Sequence, residues 1–166
     1  MRLSFISLSA VLLSLFCGQP ELLAEDRDGL LFNVSKKTVS RNDTPGDFTS
    51  GIDRDLVLKA VLKNTAMKDR EAGEVEYSIL IKRWGGETGT LQRYAGKIPL
   101  EALKRGQEVE VNTGKFHIGG HLHGTSREHV DELQAWKFTV IIGGKKTEFR
   151  SSSSFDTLDK KAVPAS

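Results

Sequence analysis

The chain has 166 residues, 38% hydrophobic and 28% charged, which excludes a disordered or collagen-like chain and suits one folded domain. Lysine and arginine number 24 against 22 aspartates and glutamates, so the formal charge is only +2 and no basic stripe for nucleic acid is implied. A single cysteine excludes an intrachain disulfide framework.

Residues 1–24 have the order of a secretory signal: Arg2, an apolar stretch from Leu3 to Phe16 relieved only by serines, then the small residue Ala24. The stretch is shorter than the ~20 residues that span a bilayer as a helix, so export without a transmembrane anchor is expected. Cleavage after Ala24 would start the mature chain at Glu25, with a single domain over 25–159 and a flexible tail over 160–166. Cys17 lies where a lipidated cysteine would lie, but Phe16 before it is bulkier than lipidation prefers. A secreted or periplasmic location is therefore expected ahead of an outer-membrane lipoprotein.

From there the pattern is that of strands. Leu30 to Val39 opens the series and is broken by Asn42 to Gly51. Leu56, Leu58, Ala60 and Leu62 then alternate with Lys59 and Lys63, and Val75, Tyr77, Ile79 and Ile81 alternate with Glu76, Ser78 and Lys82. A period of two places each apolar set on one face of a half-buried strand. Leu91 to Leu100 alternates more weakly, and Leu100 to Arg105 suits one helical turn. Short strands are expected around Val109 and Val111 and around Phe116 and Ile118. The strongest pattern runs from Glu132 to Ile142, followed by a Gly143-Gly144 hairpin turn into Thr147 to Ser151. Serines 151–154 read as the start of a frayed end. About seven short strands without a long helical period predict an all-β, antiparallel, immunoglobulin-like or fibronectin-like sandwich.

Three phrases, Ile81-Lys82-Arg83-Trp84-Gly85-Gly86-Glu87-Thr88-Gly89, Gly119-Gly120-His121-Leu122-His123-Gly124 and Asp131-Glu132-Leu133-Gln134-Ala135-Trp136, resemble those of small secreted immunoglobulin-like proteins of Akkermansia and related Verrucomicrobia. Some of those proteins are associated with pilus-like gene clusters. The resemblance implies an exported, non-catalytic sandwich of the cell envelope, and it carries over no functional residue.

His117, His121, His123 and His129, all the histidines of the chain, fall within thirteen residues. Imidazole is a good ligand for zinc or copper, and His121-Leu122-His123 would point two rings to one side of an extended segment. The plainer reading is a glycine-flanked loop with histidines exposed or bonded to backbone, in which case no cofactor is needed. Trp84 beside Gly85 and Gly86, with Tyr77 and Tyr94, suggests a platform for carbohydrate, although Tyr77 shares the apolar face of its strand.

No enzyme is expected. There is no Gly-x-Ser-x-Gly elbow, and Gly143-Gly144-Lys145-Lys146-Thr147 lacks the earlier glycine of a phosphate-binding loop. The pairs Glu74 with Glu76 and Glu108 with Glu110 have the spacing of a solvated strand face. The remaining expectation concerns partners. Leu30 to Ser35 carries no charge, so a strand edge containing Phe32 and Val34 would suit recruitment of an envelope protein or a second copy by strand addition; the plainer reading is that this strand pairs fully within its own sheet and the protein is monomeric.

Overall fold

The computed structural model describes residues 22–46, 49–84, 89–123 and 126–165. Two sheets face each other. The first has the order β1-β2-β3-β7-β8, formed by Leu22–Arg27, Leu30–Arg41, Thr49–Asn64, Phe116–His123 and Ser126–Val130. Strand β6 (Glu108–Asn112) also pairs with β3, beside the stretch that β7 leaves free. The second has the order β10-β9-β4-β5-β11, formed by Lys145–Arg150, Glu132–Ile142, Gly73–Lys82, Leu91–Leu100 and Val163–Pro164. The all-β sandwich expected from the alternation is the architecture found. Among the described residues every strand pairing is antiparallel except β11 on β5.

The core follows from the period of two. Leu56, Leu58, Ala60 and Leu62 of β3 face Val75, Ile79 and Ile81 of β4 and Trp136, Phe138 and Val140 of β9 within one buried cluster. Phe32 joins the sheets at their centre, its ring stacked on Phe149 at 4.4 Å between centroids and tilted against Phe138 at 5.2 Å. Tyr77 crosses between layers, and its hydroxyl accepts a hydrogen bond from the Gly114 backbone N–H at 2.8 Å. A Cβ on Gly96 would stand 2.4 Å from that hydroxyl, so this crossing needs a glycine.

The described strands number eleven, more than the alternation suggested, because several are too short or too polar to show it. β1 turns into β2 through Asp28 and Gly29, with φ of 54° and 70°, the left-handed pair of a two-residue hairpin turn. Asp28 also ties that turn to the opposite sheet, accepting from Lys145 Nζ at 2.7 Å and Thr147 Oγ1 at 3.0 Å. β1 includes Ala24, the expected cleavage position, so cleavage there would leave Glu25 to Arg27 as its remnant. Residues 1–21 of the expected signal lie outside the described residues.

Two local expectations are corrected. Leu100 to Arg105 is not helical: the backbone N–H and C=O of Leu103 are both exchanged with Arg70 in an antiparallel bridge, which a closed helical turn would not allow. The helix is instead α1 (Phe155–Asp159), whose Phe155 is fully buried against Leu80 and Ala135 on the outer face of the second sheet. The tail is likewise tied rather than frayed. Ser151 Oγ accepts from the Trp136 N–H at 2.8 Å, and Val163 and Pro164 pair with Gln92 and Arg93.

At the far end of the β2–β3 hairpin, Asp43 accepts from Arg41 Nε at 2.6 Å and from Arg54 Nε at 2.9 Å, and also from Arg54 Nη2. The Arg54 hydrogen bonds, ahead of Arg41, hold its carboxyl well below the usual carboxylate range. A carboxylate depressed in the folded state stabilises the fold above its unfolded pKa of about 4 and loses that effect as pH falls through the lower folded value. Asp43→Asn is therefore expected to be less stable than the parent at neutral pH, with the gap closing progressively below about pH 4. Urea unfolding at a series of pH values checks this. A gap independent of pH would show that the carboxylate charge is not what Asp43 contributes.

Candidate functional site

The predicted site residues lie on strands, not in a loop. His117, His121 and His123 belong to β7, and His129 belongs to β8. Phe116 and Ile118 of β7 point into the core, so their neighbour His117 faces outward. Its Nδ1 lies 3.4 Å from Asp55 Oδ1 and 3.6 Å from Asp53 Oδ1, both on β3. Asp55 is held below its ordinary pKa first by the Ser40 hydroxyl and then by this imidazole. His121 sits four residues further on, about 13 Å away along an extended strand. It is paired with Gly51 of β3 on one side and with His129 of β8 on the other. His123 pairs with Thr49 and Ser126.

Among the described side chains, His117 is separated along the strand from His121 and His129, and the side chain of His123 lies outside what the structure describes. Among the described residues no group of three or more histidine, cysteine, aspartate or glutamate side chains is arranged to hold a metal ion. The reason is strand geometry: residues along one strand separate by more than 3 Å each, and only cross-strand partners meet. What the topology does bring together is His121 with His129. Gly120 just before them has φ of 141°, and a Cβ there would lie 2.2 Å from the His129 carbonyl oxygen. Only glycine lets the two strands approach in this way.

Behind this pair lies a polar network that the sequence reading missed. Arg83 follows β4 directly, and Asp131 is the single residue between β8 of the first sheet and β9 of the second. Arg83 Nη1 donates to Asp131 Oδ2 at 2.5 Å and to the His117 carbonyl at 2.8 Å, and Nε donates to Gln92 Oε1 at 2.7 Å. Nη2 reaches the Tyr94 hydroxyl, and the guanidinium lies 5.7 Å from the centre of the Tyr94 ring. Asp131 also accepts the backbone N–H of Gly119 at 3.0 Å and that of Trp84 at 2.7 Å. The two charged side chains are only 19% and 8% exposed, so the pair works where water screens it little. A signal for it exists in the sequence: an arginine ending an apolar strand, and an aspartate at a change of strand. Neither residue type is diagnostic by itself.

The network fixes the backbone of Trp84, a residue that remains 47% exposed. The His129 ring stands edge-on to it, with centroids 4.1 Å apart and planes at 78°. Tyr77 and Tyr94 do not join Trp84 in a sugar platform. Tyr77 is committed to the core and Gly114, and Tyr94 to Arg83. The paired glutamates hold lysines: Lys97 Nζ is 2.5 Å from Glu76 and 3.2 Å from Glu74, while Lys59 is 2.5 Å from Glu110.

Phe32 and Val34 require a correction. Both are 1% exposed and face the core; their strand is paired with β3 throughout Leu30 to Val34, and over Leu30 to Phe32 also with Glu25 to Arg27, the part of β1 that cleavage after Ala24 would keep. The uncharged stretch from Leu30 to Ser35 marks burial, not an interaction edge. Beyond Val34 the described residues place no neighbour on the outer side of β2, but Lys36 and Lys37 are exposed there, and Val39 is bulged out of the β3 ladder between Thr38 and Ser40. Lysines and a bulge are the means by which sheet edges resist strand addition.

No family model and no curated protein matches the chain. Among solved structures it is similar to a crystal structure from Akkermansia muciniphila, with a TM-score of 0.42 and 9% identity, over 86% of this chain and 85% of that one. The similarity is structural.

Proposed function

We propose that the chain is an exported, non-catalytic interaction module of the cell envelope, and that it contacts an envelope protein through the corner carrying Trp84. The observation that carries this is an exposed tryptophan on a fixed backbone. A large aromatic side chain held in place before contact loses little freedom on binding, and tryptophan is enriched where truncation costs most affinity. Export rests on the signal-like order of residues 1–24. Among the described residues no helix is long and apolar enough to cross a membrane. The pilus-associated form of the proposal rests on the sequence resemblance alone.

The test is retention. Epitope-tagged full chain, expressed in the cells that produce it, should appear in the envelope fraction. Trp84→Ala should be released while keeping the parent's thermal transition, and Met67→Ala, at another exposed apolar side chain, should behave as the parent does. Parent protein found in the cytoplasm, or Trp84→Ala retained as well as the parent, would overturn the proposal. Release by enzymatic removal of polysaccharide alone would favour the carbohydrate-binding reading instead.

A further inference from the structure

We infer that His121 and His129 together form an open two-histidine site for a borderline divalent cation of the copper, nickel and zinc class. They are direct cross-strand partners of β7 and β8. Such partners share a face, with Cβ atoms about 5 Å apart. Two imidazoles at that separation can each place one nitrogen on the same ion at about 2.0 Å.

The described neighbours favour this arrangement. His121 is exposed, and its partner on the other side, Gly51, has no side chain to crowd the ring. Val130, next to His129, packs on the core, which turns His129 outward with His121. The Trp84 indole meets the His129 ring from one side and restricts its orientation. His117 takes no part, being displaced along the strand and engaged with Asp53 and Asp55. Water completes the coordination. Among divalent ions, imidazole ligands favour copper most strongly. The inference stands apart from the envelope-binding proposal, because the purified chain needs no partner to show it.

Titration of the purified full chain with cupric ion, followed by tryptophan fluorescence and calorimetry, tests it. Saturable binding of one ion per chain is expected, with quenching that a chelator reverses. Trp84→Phe should remove most of the quenching and leave calorimetric binding intact, since the other tryptophan, Trp136, is buried in the core. His121→Ala or His129→Ala should weaken binding on the order of tenfold or more, as loss of a ligand outweighs loss of its supporting hydrogen bond. His121→Gln serves as a second variant that keeps a polar side chain of similar size. His117→Ala and His123→Ala should bind as the parent does. A folded double variant of His121 and His129 with parental affinity, no saturable binding by the parent, or equal weakening in His123→Ala would each overturn the two-histidine assignment.

Discussion

Phe32→Lys is expected to leave the chain unfolded, and Phe32→Ala to lower its stability by about 3–5 kcal/mol. The ring is 1% exposed and lies between Phe149 and Phe138, which belong to the opposite sheet. Truncation would remove the apolar area and leave a cavity where the two layers meet, and the strands around it are held by ladders on both sides. Lysine adds a charge with no partner in that position. Urea unfolding of the alanine variant and dichroism of the lysine variant measure both effects. A folded Phe32→Lys whose only change is its state of association would return this strand to the surface.

Asp131→Ala should cost about 3 kcal/mol, at the lower end of the range for removing one member of a buried ion pair. For a domain of this size that corresponds to a fall in Tm of roughly 10 °C. The loss is not confined to the Arg83 pair. The N–H groups of Trp84 and Gly119 would also lose their acceptor, and Arg83 would remain largely buried beside Tyr94 and Gln92. Replacing Arg83 and Asp131 together, as Arg83→Met with Asp131→Leu, should cost less than the sum of the single changes, because no charge is then left without its partner. Additive costs would mean that the two side chains stabilise the corner separately. Thermal unfolding of the four proteins of the cycle distinguishes the outcomes.

Legibility varied with the range of the interactions involved. Glu132 to Ile142 and Leu91 to Leu100 were readable to the residue, since an alternating pattern bounded by turn residues needs no knowledge of partners. β1 was obscured by the signal-like segment that overlaps it, although Asp28-Gly29 is a strong hairpin dipeptide. The histidines were recognisable as a local anomaly, but the strand pairing that sets His121 opposite His129 was not. Closeness in sequence suggested His121 with His123, whereas β8, which carries His129, has too little apolar alternation to be read as a strand.

For the strands with clear alternation, β3, β4 and β9, the inward-facing side chains could be read without the structure, because facing depends on the period of the backbone and on the removal of apolar groups from water. The sequence by itself also determined the all-β class, since no segment carries the longer period of a packed helix. Tertiary structure alone decided which strands became neighbours. That choice set His121 opposite His129, buried Phe32 and Val34 in the core between the sheets, and closed Arg83 onto Asp131 across 48 residues of chain. Strand pairing is chosen by the summed fit of whole faces and by the closure of long loops, quantities to which every strand contributes and which no local window of residues contains.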